Sequence, residues 1–285
     1  MLRDARTRTA GLVRLNTVLL LREPGPVISR LLMPVILMVI LRPLYVAAQG
    51  AGVGPLAGGT TTVPTTGAHA GTATGTALGA ATGTTLGTIQ AVTGMSVMFS
   101  LLALGLVGSG ILTERGWHTW DRLRSSATRP VEILVAKSVP TLGFLAAQQT
   151  VVMTVGVLAL GLRVDHPAPL VLATGTWVVM LLGLGTALGT FARSHAELGA
   201  VQDVGGLVLT SLGGALVPLA ILPGWVHHVA PVSPGYWGVQ AMTAALTGDT
   251  ARALHATVVL AGVALAAVTL ASWRVRRGWG RSDLL

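Results

Sequence analysis

The sequence contains no cysteine, so disulfide bonds and thiolate metal ligands are excluded. Charge is also scarce, since only 10% of the 285 residues are Asp, Glu, Lys or Arg, whereas a soluble globular chain carries about 25%. Hydrophobic residues make up 52% of the chain. This composition excludes an ordinary soluble domain and predicts an all-α polytopic protein embedded in a lipid bilayer.

Lysine is nearly absent, because eighteen of the nineteen basic residues are arginine. Together with the abundance of Ala, Gly, Thr and Val, this bias indicates a GC-rich bacterial genome. The net charge is +9, but the arginines lie at the boundaries of apolar segments and do not form one basic patch. We therefore expect no nucleic-acid partner.

Motifs for nucleotide binding, catalysis and metal binding are missing as well. No Gly-x-x-x-x-Gly-Lys-Ser/Thr loop occurs, so we expect this chain to bind no ATP or other cofactor itself. No Ser/His/Asp arrangement and no pair of carboxylates points to catalysis. The adjacent His227 and His228 would not face each other on a helix and have no carboxylate nearby, so we predict neither catalytic residues nor a metal site.

Six apolar segments are long enough to cross the ~30 Å hydrocarbon core as helices of about 20 residues. They predict a six-span transmembrane domain over residues 27–285. An even number of spans places both termini on the same side of the membrane. The predicted spans are about 27–48, 89–113, 134–162, 170–191, 204–222 and 254–273.

The distribution of basic residues predicts which side faces the cytoplasm. Sixteen of the nineteen lie in the N-terminal segment, in residues 114–137, at Arg193 or in the C-terminal tail, all on one side of this topology. Only Arg163 and Arg252 lie on the other side, and Arg42 lies within the first span. Since basic residues accumulate on the cytoplasmic side, both termini are predicted to be cytoplasmic.

The N-terminal segment, residues 1–26, mixes arginines with leucines at near-helical spacing. This pattern predicts an amphipathic helix on the cytoplasmic membrane surface, with Arg6 and Arg14 at the interface. The prolines of residues 23–26 end it. A cleaved signal peptide is not expected, because the charged region is too long.

Residues 49–88 carry no charge and are rich in Gly, Thr and Ala. Glycines recur every four residues from Gly67 to Gly87, a spacing found in close contacts between membrane helices. So much Gly and Thr nevertheless lowers helix propensity. Two interpretations stay open: an external loop whose last part extends the second span, or a helix with a glycine seam.

Prolines divide the stretch before the last span into two short apolar pieces, about 224–230 and 235–246. Neither piece is long enough to cross a bilayer of ~30 Å. We predict a pair of external re-entrant helices over residues 224–246. Trp225, Tyr236 and Trp237 would lie at the headgroup level, where amphipathic rings are favoured.

The stretch between the second and third spans is unusually charged and aromatic for this chain. Residues 114–137 carry five of the nineteen basic residues and two tryptophans. The residues alone fit a membrane-surface helix with snorkelling arginines. They also fit a docking surface for another protein, since aromatic residues and Arg anchor buried interfaces.

Three features in this order resemble the membrane subunit of an ABC type-2 exporter, of the daunorubicin-resistance permease kind. The first is the amphipathic N-terminal helix. The second is Glu114-Arg115-Gly116, followed by Trp120-Asp121-Arg122-Leu123-Arg124 and Lys137. The third is the proline-rich segment from Pro218 to Trp237. Ala136 departs from the resemblance, because the family often has Gly before the Lys.

The resemblance implies a permease subunit that exports an amphiphilic drug, antibiotic or lipid-like substrate from the bacterial cytoplasm. It also implies two partners, a separate ABC ATPase that holds ATP and Mg, and a second permease copy or paralogue. Residues 114–133 would be the cytoplasmic coupling loop. The ATPase-docking residues would be Glu114, Arg115, Trp117, Trp120, Asp121, Arg122, Leu123 and Arg124.

Polar residues inside spans are costly in lipid and mark candidate transport-path positions. Arg42 either contributes to such a path or to a dimer contact, or it snorkels to the external headgroups. Gln148 and Gln149 either contact substrate or form hydrogen bonds between helices. The alternative function is a secondary transporter or channel without an ATPase, but no carboxylate lies within a predicted span to support proton coupling.

Overall fold

The computed structural model describes residues 11, 13–18, 22, 24–52, 71–116 and 130–277. Within these ranges the chain is all-helical and contains no strand, as the composition predicts. Residues 13–18 are helical, and Arg14 there is exposed, whereas Arg6 lies outside the described residues. The longer helices are α1 Pro24–Gly52, α2 Gly71–Leu102, α3 Leu104–Gly116, α4 Pro130–Leu160, α5 Pro167–Phe191, α6 His195–Leu212, α7 Gly224–Val229, α8 Pro234–Thr247 and α9 Thr250–Arg276.

Five stretches of the described helices are long and apolar enough to cross a membrane. The stretch Gly83–Gly110, which runs through α2 into α3, is the central one, and it is far more buried than the other four. α1, α4, α6 and α8 pack against α2, and α9 packs along α5. The other four stretches are Val27–Gln49, Ser138–Leu160, Pro167–Phe191 and Thr250–Val275.

The predicted fifth span, 204–222, is not one continuous helix. α6 begins earlier, at His195, and ends at Leu212. It ends there because Gly213 and Gly214 follow, and Gly214 has φ of +75°, a conformation that favours glycine. α6 also carries two carboxylates, and it is not among the five apolar stretches, so a count of six spans is not shown.

The start of α6 shows why the helix begins before the apolar run. Ser194 is the N-cap, and its Oγ accepts a hydrogen bond from the Glu197 amide at 3.1 Å. The Glu197 carboxylate in turn accepts from the Arg193 amide at 2.8 Å. The two bonds satisfy two backbone donors at the helix start and resemble a capping box, except that Glu197 accepts from the residue before the N-cap.

The described helices have two ends that serve as landmarks. The connections α3–α4 and α5–α6 define the proximal end, and the connections α4–α5 and α8–α9 define the distal end. The second half of α1 lies beside the middle of α2, because Arg42 contacts Thr88. α9 ends beside the end of α5, because Arg274 lies over the Phe191 ring at 5.7 Å. The topology prediction assigns the proximal end to the cytoplasm.

The glycine-rich stretch 49–88 is partly helical, because α2 begins at Gly71 and residues 53–70 lie outside the described part. Gly87 lies at a close approach of α1 and α2. A Cβ atom there would lie 2.5 Å from the Val46 Cα. Only glycine fits this crossing, and the close contact agrees with a small-residue seam at this position.

The segment between α6 and α9 contains the short helices α7 and α8, at nearly the predicted bounds of the two apolar pieces. α8 is not a surface helix, since one side of it is buried against α2, α5 and α9. Gly238 of α8 lies against the fully buried Trp177, and a Cβ there would be 2.7 Å from the ring. Re-entrant insertion into a membrane stays a prediction.

Candidate transport pathway and docking region

The predicted docking loop lies between α3 and α4, largely outside the described residues. Glu114 and Arg115 belong to the last turn of α3, which ends at Gly116. ATPase docking by this loop therefore stays a prediction. The other six docking residues lie outside the described part: Trp117, Trp120, Asp121, Arg122, Leu123 and Arg124.

The helix that leads to this loop is interrupted at Ala103, the junction between α2 and α3. Here the Leu106 amide donates to the Ala103 carbonyl at 3.0 Å, and not to the Leu102 carbonyl as an α-helix requires. The Gln202 side chain of α6 donates its Nε2–H to the freed Leu102 carbonyl. A side chain inserted into the backbone ladder is a recognised cause of a helix kink.

Gly105 makes room for this inserted amide. A Cβ atom at Gly105 would overlap the Gln202 Oε1. The break, the glycine and the glutamine therefore form one unit, which ties α6 to the helix that ends at Glu114 and Arg115.

Gln149 joins a buried polar chain that links α4, α2 and α5. Gln149 and Ser96 exchange two hydrogen bonds, one from the Ser96 hydroxyl and one back to the Ser96 carbonyl at 3.2 Å. Ser100 Oγ donates to the Ser96 carbonyl at 2.6 Å, and it accepts from Trp177 Nε1 at 2.9 Å. Interhelical bonding, one of the two predicted roles, is therefore found at Gln149.

Gln148 is also buried, with 2% of its surface exposed. Its Nε2 donates to the Arg30 carbonyl of α1 at 3.1 Å. Its Oε1 has no partner among the described residues. Gln148 therefore bonds between helices as well, and it satisfies only part of its hydrogen-bonding capacity.

A largely apolar groove of about 500 Å³ lies between α4 and α5. Gln149 is at its inner wall, so this residue borders the groove and the buried polar chain at once. The groove places one of the three candidate path residues beside a space that an apolar ligand or acyl chain would fit. Other lining residues include Ala146, Met153, Thr174, Val178 and Val179.

Arg42, in the second half of α1, is bonded to α2 near the distal end of the bundle. Its Nε donates to Thr88 Oγ1 at 3.2 Å, and that hydroxyl donates onward to the Thr84 carbonyl at 2.9 Å. Arg42 and Thr88 both line a cavity of about 450 Å³. Arg42 is thus separated from Gln148 and Gln149, which lie on α4 and contact the start of α1 at Arg30 and the last third of α2 at Ser96.

The last turn of α6 and the irregular backbone that follows it are held by side chains from α1, α2 and the α7–α8 segment. Tyr45 OH donates to the Leu216 carbonyl at 2.7 Å, and Gln90 Nε2 donates to the Gly214 carbonyl at 2.7 Å. Ser233 Oγ donates to the Leu209 carbonyl at 2.6 Å. Irregular backbone at membrane depth requires such partners, because no water is present to satisfy it.

The predicted interface aromatics have two different environments. Trp225 on α7 is exposed over 62% of its surface, as an interfacial ring would be. Trp237 is half-buried, and its Nε1 donates to the Pro231 carbonyl at 2.8 Å. Tyr236 packs edge-on against Trp237, with the ring centroids 5.1 Å apart. Tyr236 and Trp237 therefore anchor the start of α8 to the preceding turn.

The all-helical architecture and the apolar stretches of the described residues agree with the family resemblance. The sequence matches the ABC-2 type transporter family over residues 9–247. This chain belongs to the ABC-2 type transporter family. It is also 29% identical, over 140 residues, to the inner membrane transport permease YhhJ of Escherichia coli K12 and to that of Shigella flexneri. That match covers 47% of this chain and 37% of the length of each relative.

Sequence reasoning missed several polar residues that hold this ABC-2 family member together. Gln90, Ser96 and Gln202 each bond to another helix or to irregular backbone. An amide or hydroxyl in an apolar run is a signal that can be read from sequence, because it needs a partner in lipid. Among the described residues, no group of three or more His, Cys, Asp or Glu could hold a metal ion.

Proposed function

We propose that this chain is the transmembrane permease subunit of an ATP-driven exporter, and that its substrate is an amphiphilic drug, antibiotic or lipid-like molecule. The observation that carries the proposal is the match to the ABC-2 type transporter family over residues 9–247. The matched range includes the loop 114–133, to which we assign the docking of a separate ABC ATPase. That partner would hold ATP and Mg.

The contact between Gln202 and Leu102 supports a route for coupling. Movement of the docking loop would pull on α3, which begins directly after the break at Ala103. Because Gln202 bonds at this break, a change in the angle between α2 and α3 would shift α6 or break this hydrogen bond. The interrupted helix is the two-state element that such a mechanism needs, biased by the ATPase at one end and by substrate at the other.

A second permease subunit, either a copy or a paralogue, would complete the transport path. α1 and α6 each present exposed apolar side chains that need lipid or protein to cover them. Such a pair would alternate between inward-open and outward-open states. The exposed apolar residues of α6 are Val201, Val204, Leu207 and Val208.

Co-purification tests the proposal. The tagged chain is isolated from its host in mild detergent, and co-eluting proteins and ATP hydrolysis are measured. We expect a stoichiometric ABC ATPase, and we expect the double variant Trp120→Ala with Arg122→Ala to lose it while still inserting into the membrane. The matched control is Trp225→Ala with Arg252→Ala, a Trp and Arg pair at the distal end, which should retain the ATPase.

Two results would count against this assignment. An undiminished ATPase signal in the Trp120/Arg122 variant would remove the docking role from the loop. A chain that elutes alone in several detergents, yet still transports in response to an ion gradient, would favour the alternative function, an ATPase-independent secondary transporter or channel.

A further inference from the structure

The distal end of the bundle contains a polar cavity that the proposed transport cycle does not use. It has a volume of about 450 Å³ and is lined by the second half of α1 at Arg42, the middle of α2 and the α4–α5 connection. Two of its walls carry arginines, and threonines of α2 lie between them. The lining includes Arg42, Thr85, Thr88, Arg163, Asp165 and Leu246.

Arg42 is oriented by its neighbours with part of its guanidinium toward the cavity. Thr88 is 4% exposed and donates to the Thr84 carbonyl, so its oxygen is available as acceptor for Arg42 Nε. The Arg42 Nε–H therefore already has an acceptor within the protein. No other hydrogen bond or ion pair of this side chain is found among the described residues, and the Nη groups are the part left to a ligand.

The α4–α5 connection supplies the second arginine. α4 ends at Leu160, Gly161 adopts φ of +69°, and the Leu162 amide donates back to the Gly156 carbonyl at 3.0 Å. This reversal buries Leu162, at 5% exposure, against the core. The next residue, Arg163, is therefore directed to the exposed side of the connection, at the edge of the cavity.

The charges around the cavity favour an anion. Arg42 and Arg163 contribute two positive charges, and Asp165 contributes one negative charge, so the lining is net positive. Within the described part of the chain, neither arginine forms an ion pair with Asp165. A buried or half-buried arginine without a carboxylate partner is costly at membrane depth unless an anion or water satisfies it.

We infer that this distal cavity binds a phosphate-type anion between Arg42 and Arg163. Arginine matches phosphate oxygens through pairs of parallel N–H donors, and Arg42 and Arg163 both line this cavity. Part of the wall is apolar, formed by Ile89, Leu160 and Leu246. An anionic headgroup with its acyl chain attached would use both surfaces, whereas free phosphate would use only the polar one.

Ligand-dependent stabilisation of the purified full-length chain in neutral detergent tests this site. The probes are inorganic phosphate, a short-chain phosphatidate and the matching uncharged diacylglycerol. A ligand that binds only the folded state stabilises it by RT ln(1 + L/Kd), where L is the free ligand concentration, so the rise in the unfolding midpoint with ligand concentration reports the apparent affinity. We expect phosphatidate to raise the midpoint, and we expect Arg42→Gln or Arg163→Gln to weaken its apparent affinity about tenfold, as loss of a charge-assisted hydrogen bond does.

Two further variants keep the test specific. Arg252→Gln removes an exposed arginine of α9 that is also near the distal end but does not line the cavity, and it should leave the affinity unchanged. Thr88→Val keeps both arginines and removes the acceptor that orients Arg42, so an intermediate loss is expected. Arg163→Gln changes an exposed residue, which keeps the test valid if Arg42→Gln does not fold.

The outcomes separate the two sources of phosphate. A shift with phosphatidate alone assigns the site to a lipid or amphiphile headgroup, and an equal shift with inorganic phosphate assigns it to the free anion. The inference would be overturned by no shift with phosphatidate or inorganic phosphate, by an equal shift with the uncharged diacylglycerol, or by an equal loss of affinity in Arg252→Gln. The assay needs no ATPase, so its failure would leave the proposed exporter function untouched.

Discussion

Gln202 of α6 donates its side-chain amide to the backbone carbonyl of Leu102, 100 residues earlier in the chain. The carbonyl is free to accept because the helix breaks at Ala103, and the Leu106 amide turns to the Ala103 carbonyl instead. One hydrogen bond therefore joins α2, the central helix, to α6. A side chain inserted at a helix break is a cause of a kink, and here it makes the junction a hinge whose angle is linked to the position of α6.

A double-mutant cycle on Gln202 and Gly105 should reveal this coupling. Gln202→Ala leaves a part-buried carbonyl without its partner and should cost about 1 kcal/mol of unfolding free energy. Gly105→Ala should also destabilise the wild type, because the new methyl group displaces the Gln202 side chain. In the Gln202→Ala background the Gly105→Ala cost should largely disappear. Denaturant unfolding in detergent measures all four proteins, and costs that simply add would contradict the hinge unit.

The buried pair of Gln149 and Ser96 should contribute measurably to stability. Gln149→Leu removes both hydrogen bonds between α4 and α2, and we expect a loss of about 1 kcal/mol, the usual magnitude for interhelical bonds in membranes. The matched control is Thr150→Val, since Thr150 is exposed and bonds only within its own helix. The unfolding midpoint of each variant is the measurement, and an equal effect of the two substitutions would contradict the interhelical role.

The elements that sequence predicted correctly are those that depend on local composition. Long apolar runs between arginine-rich segments predict helices, and the apolar stretches agree closely with the predicted first, third, fourth and last spans. The end of α6 was not predicted, because the run 204–222 stays apolar through Gly213 and Gly214 while the backbone turns away. A hydropathy average over the run does not detect such a break, because the residues on both sides are apolar.

The pairing of polar residues could not be predicted for a different reason. Gln202 and Leu102 are 100 positions apart, and Gln149 and Ser96 are 53 apart. A single sequence shows that an amide in a span needs a partner, but it does not show which helices are neighbours. Gln148 and Gln149 were therefore recognised as candidates for interhelical bonds, while their acceptors on α1 and α2 became known only from the fold.

Two glycine-to-alanine substitutions should differ sharply in their effect on stability. Gly94 faces the irregular segment after α6, and a Cβ there would overlap the Ala215 carbonyl oxygen. Because that atom belongs to the backbone and cannot rotate away, Gly94→Ala should lower the unfolding midpoint strongly or prevent expression. Gly143 in α4 has open space around its Cβ position, so Gly143→Ala should be neutral or stabilising. Yield and thermal unfolding in detergent would show the contrast, and similar behaviour of both variants would argue against the packing at Gly94.

The orientation of the bundle can be measured because the natural sequence has no cysteine and needs no background removal. His166 lies at the distal end and His195 at the proximal end, and both side chains are exposed. In intact cells, a membrane-impermeant maleimide should label His166→Cys, because the positive-inside rule assigns the distal end to the outside. His195→Cys should react only after the membrane is permeabilised. The reverse pattern would invert the topology, placing the cavity at Arg42 and Arg163 on the cytoplasmic side and the loop 114–133 out of reach of any ATPase.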